Sequence, residues 1–155
     1  MNFINMKLVL SILLPQTAGF VGSIFTLNAI PTWYEYLTKP SFAPPNWIFA
    51  PMWVTLYLAM GIAVYLNWIS NNKQSKYNVR LFFIHLLFNF IWTPVFFGLK
   101  NLGLALIVIL LLMYLIVLMI VKFWRVNKVS SILLIPYLIW VAFASLLNYY
   151  YWILN

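Results

Sequence analysis

One acid, one histidine and no cysteine limit the chemistry open to this chain of 155 residues. Without cysteine there is no thiolate nucleophile, no disulfide framework and no Cys-ligated metal. Glu35 has no second carboxylate for general acid–base work, and there is no Ser/His/Asp set, Walker pattern or dinucleotide glycine pattern. Glu35 is read as a solvated loop charge paired with Lys39. His85 is read as a satisfied interior histidine, because no second ligand accompanies it, so no metal site is expected. Hydrolysis and group transfer lack residues to carry them, and no chain of titratable groups crosses the apolar segments to move ions or protons.

The remaining chemistry is aromatic. The stretch "PSFAPPNWIFAPMWVTLY", Pro40 to Tyr57, sets four prolines, two tryptophans and two phenylalanines at the mouth of an apolar segment. Of the eight tryptophans, Trp33, Trp47, Trp68, Trp124 and Trp152 lie near the ends of apolar runs, where interfacial belts account for them. Trp53, Trp92 and Trp140 lie inside such runs, where an indole N–H needs a partner and the ring offers a stacking face. Tyr57 follows Trp53 by one helical turn. His85, Asn89, Trp92 and Phe96 form one helical stripe, and Trp140, Ala144 and Asn148 another at four-residue spacing. At 1.5 Å per residue, Trp53 lies roughly 9 Å below its helix end, Trp92 and Asn89 about 10 and 15 Å, and Asn148, Ala144 and Trp140 about 8, 14 and 20 Å. All share one half of the bundle, and the stripes predict an aromatic cavity covered by the proline-rich loop, with Ala144 leaving the space. Asn89, a polar residue within a span, serves either as glue between helices or as a ligand contact.

The elements that must hold these residues are membrane spans. The chain is 66% hydrophobic and 6% charged, against roughly 25% charged in a soluble domain. Five apolar segments fall near residues 7–28, 46–69, 80–99, 102–123 and 129–153, each long enough to cross a hydrocarbon core. The first is read as a retained helix, since no small-x-small cleavage site precedes Asn28. The net charge of +8 is topological and implies no nucleic acid. Lys7, Lys73, Lys76, Arg80, Lys122, Arg125 and Lys128 fall on the N-terminal side, and Lys39 and Lys100 on the other. The positive-inside rule then puts the N-terminus in the cytoplasm, with a bacterial plasma membrane fitting the asymmetry, and turns the loop 29–45 outward. Pro15, Pro51, Pro94 and Pro136 are expected to kink their helices. The fourth segment, almost purely aliphatic, suits lipid or a second subunit. Ala18, Gly19, Gly22, Ser23 and Thr26 in the first allow close packing within the bundle. No internal repeat suggests an inverted-repeat transporter.

Three stretches, "TWYEYLTKPSFAPPNWIFAPMWVTLYLAMGIAVYL", "NFIWTPVFFG" and "PYLIWVAFASLLNYYYWILN", resemble the TspO/translocator protein family, the tryptophan-rich sensory proteins that include the peripheral benzodiazepine receptor. The resemblance covers nearly the whole chain. It implies an all-α membrane protein, a bundle of five transmembrane helices and commonly a homodimer. It also implies binding of porphyrins and haem, with sterols and benzodiazepine-type ligands in animal members, and in some members light-dependent breakdown of protoporphyrin. The family's pocket falls on Trp53, Tyr57, Asn89, Trp92, Trp140, Ala144 and Leu147, with Trp33 in the covering loop; Phe96 and Asn148 join them by periodicity. Phe42 stands where the family usually has Trp, and Ala50 where Gly often precedes the proline. No Lys or Arg follows Tyr149 to Tyr151, so the proposed cholesterol motif is incomplete.

The expectation is a membrane receptor or sensor for a tetrapyrrole or similar flat apolar ligand, in contact with lipid and requiring no cofactor. The alternatives are a light-dependent porphyrin-degrading enzyme, with Trp53 and Trp140 as the photochemical residues, and a transporter of porphyrin, lipid or sterol.

Overall fold

The computed structural model describes residues 3–70 and 72–155, and among them every regular element is helical. Helix α1 runs Phe3–Thr32, α2 Phe49–Ile69, α3 Ser75–Thr93, α4 Leu102–Trp124, α5 Lys128–Ile132 and α6 Ile135–Leu154. Single turns of 3₁₀ helix lie at Tyr34–Tyr36 and Asn46–Ile48, and a π-turn, Pro94–Gly98, continues α3. Five helical stretches are long and apolar enough to cross a membrane: Met6–Thr32, Asn46–Ile69, Ser75–Gly98, Leu102–Trp124 and Lys128–Leu154. The expected five-span all-α architecture is present, with shifted ends. The first helix extends several residues beyond 7–28 at both ends, the third starts at Ser75 rather than near 80, and the fifth span is broken into α5 and α6.

Proline explains most of these details, and not by kinking every helix. Pro51 and Pro136 fall in the first turns of α2 and α6, where no N–H is required. Pro136 has no proton for the carbonyl of Ile132, so α5 stops and α6 begins anew. Pro94 opens the π-turn, in which the Leu99 N–H reaches the Pro94 carbonyl at 2.8 Å. Pro15 lies inside α1 and leaves the Ser11 carbonyl without its helical donor. Gly61 of α2 sits against that turn: a Cβ there would lie 2.6 Å from the Ser11 oxygen and 2.9 Å from the Ile12 Cα, so only glycine permits this approach. Elsewhere in α1, Thr17, Ser23, Thr26 and Thr32 donate their hydroxyls to carbonyls three or four residues back, which satisfies polar groups on an apolar helix.

Helix α1 packs along α2 and touches α3; α3 packs on α4, and α4 on α6. The buried side of α4 is a stripe of Ala105, Val108, Ile109, Leu112, Ile116, Met119 and Phe123. Its other side, including Ile107, Leu110, Tyr114, Val117 and Val121, is exposed. The larger core cluster joins Met60, Ala63, Val64, Phe82, Leu134, Tyr137 and Val141 to the α4 residues from Ile109 to Phe123, in the half nearer the N-terminus. A smaller cluster of Tyr34, Val95, Phe96, Ala105, Leu147 and Tyr151 closes the other half. The cavity lies in that second half.

Candidate functional site: an aromatic cavity between helices

A cavity of about 580 Å³, within the range of small-molecule sites, lies among α1, α2, the end of α3 and α6. Helix α2 supplies Phe49, Trp53 and Tyr57 at four-residue spacing, with the Trp53 and Tyr57 rings 5.4 Å apart. The end of α3 and the π-turn supply Trp92, Thr93, Phe96 and Phe97, with Trp92 and Phe96 tilted 35° at 5.1 Å. Helix α6 presents Ala144, Leu147, Asn148 and Tyr151, one face of its outer two turns. The wall from α1 is lined by Gln16, Gly19, Gly22, Ser23, Thr26 and Ile30. Ala144 is the smallest of the four α6 side chains.

Polar groups hold this aromatic wall in place. The Trp92 indole N–H donates to Asn148 Oδ1 at 3.2 Å, and Asn148 Nδ2 donates to the Leu102 carbonyl at 2.8 Å, tying the ring to α6 and α4. Behind Tyr57 runs a buried chain. The Tyr57 hydroxyl donates to Asn89 Oδ1 at 2.9 Å, and Asn89 Nδ2 donates to the Tyr137 hydroxyl at 2.7 Å. The Tyr137 oxygen lies 2.9 Å from His85 Nε2. His85 is thus the interior, hydrogen-bonded histidine the sequence suggested, and Asn89 joins α2, α3 and α6 behind the cavity wall.

The loop between α1 and α2 is pinned to the far end of α6. Asn155 accepts from the Thr38 N–H at 2.8 Å and donates to the Thr38 carbonyl at 3.2 Å, and Phe42 packs edge-on against Tyr150 at 5.1 Å. The Tyr34 and Tyr151 hydroxyls meet at 2.7 Å. Burial, and then the bond to Tyr151, push the Tyr34 phenol up from its ordinary value, so it enters this pair as a neutral hydroxyl. Lys39 lies over the Tyr34 ring at 5.3 Å, not against Glu35 as the sequence suggested.

Seven of the ten residues expected at the site line this cavity: Trp53, Tyr57, Trp92, Phe96, Ala144, Leu147 and Asn148. Asn89 stands behind Tyr57. Trp33 lies outside the lining, edge-on to Phe96 at 5.8 Å, with Lys100 over its ring. Trp140 also lies outside it, 5.8 Å from Phe49 and from Phe143, its indole N–H buried and unpartnered. Depth counted from helix ends fails here. Trp53 faces Tyr137 and Phe49 faces Trp140, so α6 projects past the start of α2 and Trp140 sits one turn outward of Trp53. The α1 wall went unassigned in the sequence because its small residues read as packing alone. Packing is part of their role, since a Cβ on Gly19 would run into the Tyr57 ring. Phe20 and Val54 edge the cavity while exposed, so its mouth opens sideways between α1 and α2.

Fold and cavity together define a polytopic helical membrane protein with an aromatic chamber inside the bundle. The chain belongs to the TspO/MBR family, whose sequence model matches residues 11–153. It is 42% identical over 150 residues to the tryptophan-rich protein TspO of Archaeoglobus fulgidus, covering 97% of each chain. To the translocator protein of Bos taurus it is 38% identical over 143 residues, covering 90% of this chain and 85% of the relative. A tryptophan-rich sensory protein of Cereibacter sphaeroides is 33% identical over 117 residues, 76% of this chain and 73% of that one.

Proposed function

We propose that the cavity binds a flat, largely apolar ligand, a tetrapyrrole such as protoporphyrin IX or haem, and that the protein acts as a membrane receptor or sensor for it. The carrying observation is a chamber of about 580 Å³ with Trp53, Tyr57, Trp92 and Phe96 in its walls and Asn148, Gln16, Ser23 and Thr26 among its polar edges. Its sideways mouth lets a ligand dissolved in the bilayer enter without crossing the loop between α1 and α2. Binding shifts a conformational equilibrium only as far as the ligand's affinities for the two states differ. The same reading puts the N-terminal face in the cytoplasm of a bacterial cell.

The test is saturable quenching of tryptophan fluorescence by protoporphyrin IX, in the dark, with the protein in nanodiscs. Ala144→Phe, which fills the chamber, is expected to weaken binding at least about tenfold, while Trp140→Phe, outside the lining, changes it less than about threefold. Quenching that does not saturate, or that Ala144→Phe leaves untouched, would refute the assignment. A photochemical reading is favoured by Trp53, whose ring is in the wall. Under it, Trp53→Phe abolishes turnover in light and spares dark affinity.

A further inference from the structure

The far end of the bundle, where the N-terminus and the turns after α2 and α4 lie, carries a second concavity of different character. Lys73, Lys76, Tyr77 and Arg80 line a hollow of about 390 Å³ around the start of α3. The only acidic side chain of the sequence, Glu35, lies in the loop between α1 and α2 at the opposite end. No carboxylate side chain of this chain can therefore neutralise the three cations. Topology explains why cations gather on this face. It does not explain why three of them line one hollow, with Lys76 and Arg80 one helical turn apart, an arrangement of like charges that is unfavourable until an anion enters. Two other cations at this end rest on rings: Lys7 lies 5.6 Å from the Trp68 centroid and Lys128 5.6 Å from that of Trp124.

We propose that this hollow holds the phosphate of an anionic membrane lipid. The hollow lies where the membrane-crossing stretch Ser75–Gly98 begins, the level of lipid headgroups. An apolar track leads from it toward the hydrocarbon. Tyr77 is 66% exposed, and exposed Ile84 and Leu87 follow it at seven and ten residues, on the face that includes Arg80. A lipid lying along α3 sets its phosphate among Lys73, Lys76 and Arg80, its glycerol region against the Tyr77 ring, and an acyl chain on Ile84 and Leu87. A free phosphate satisfies the cations but has no use for that track, so the observations favour the lipid.

The test titrates the purified full chain with dioctanoyl phosphatidylglycerol, dioctanoyl phosphatidylcholine and inorganic phosphate, counting bound molecules by native mass spectrometry. Phosphatidylglycerol is expected to bind at least about tenfold more tightly than phosphatidylcholine. Lys76→Gln with Arg80→Gln weakens it roughly thirtyfold. Arg125→Gln with Lys128→Gln, an equal charge change on the same face, leaves it within about twofold. All four positions are exposed, and an unchanged melting temperature in phosphatidylcholine checks that the variants fold. Equal losses in the two double variants would reduce the hollow to diffuse surface charge and overturn the proposal. Inorganic phosphate binding as tightly as the lipid would overturn it in favour of a free-anion site.

Discussion

Tyr137 concentrates the polar interior of the bundle in one oxygen. It is fully buried, accepts from Asn89 and faces His85 Nε2, so Tyr137→Phe removes a single atom and leaves two buried groups without partners. The expected cost is about 1–3 kcal/mol for each orphaned group, read as a lower melting temperature in detergent. An unchanged melting temperature would mean that water replaces the hydroxyl at no cost. Because Asn89 also holds the Tyr57 hydroxyl, the same variant is expected to loosen the cavity wall and weaken ligand binding to a lesser degree. Sequence periodicity placed Asn89 on the right helical face but left its role open, since glue and ligand contact look alike until the partners are known. Trp140 shows the reverse. Its position within a span was legible, but what its ring touches depends on the level at which α6 meets α2, which helix-by-helix counting cannot supply.

At the scale of elements, the contact of α1 with α2 depends on Pro15, which the sequence offered only as a kink, and on Gly61, which it did not single out. Pro15 frees the Ser11 carbonyl, and Gly61 lets α2 approach it. Gly61→Ala is expected to destabilise the protein by about 1–3 kcal/mol, because the added methyl meets backbone that cannot rotate away. Gly22→Ala is the control. Its Cβ would lie 3.4 Å from Thr93 Oγ1, a tight contact with a side chain that can give, so a smaller loss is expected. Comparable losses in thermal unfolding would show that small size, and not the backbone approach, matters at Gly61. The five spans themselves were legible because apolar runs of about 20 residues have few other uses. Their ends were not. Lys76 looks like loop by hydropathy, yet α3 already includes it, because a helix does not stop where the hydrocarbon does. Pro31 read as part of the loop and Pro136 as a kink within the fifth span, yet α1 runs through the first, and α6 starts one residue before the second.

The whole molecule divides its work between two halves. Close-packed side chains from α2 to α6 fill the half nearer the N-terminus, and the chamber occupies the other, where α2 and α6 no longer fill the space between them. Cations follow the same division, seven on the N-terminal side against two on the other. If insertion obeys that asymmetry, the chamber lies in the outer half of the membrane and the basic hollow faces the inner leaflet. The chain contains no cysteine, so single cysteines can report this directly. Tyr36, 81% exposed in the loop between α1 and α2, and Arg125, exposed in the turn after α4, lie at opposite ends. Tyr36→Cys is expected to react with an impermeant maleimide in right-side-out vesicles, and Arg125→Cys only once the vesicles are inverted or permeabilised. The opposite pattern would reverse the orientation and turn the basic hollow to the outer leaflet. Equal labelling of both sites in sealed vesicles would mean dual insertion, which seven cations against two should prevent.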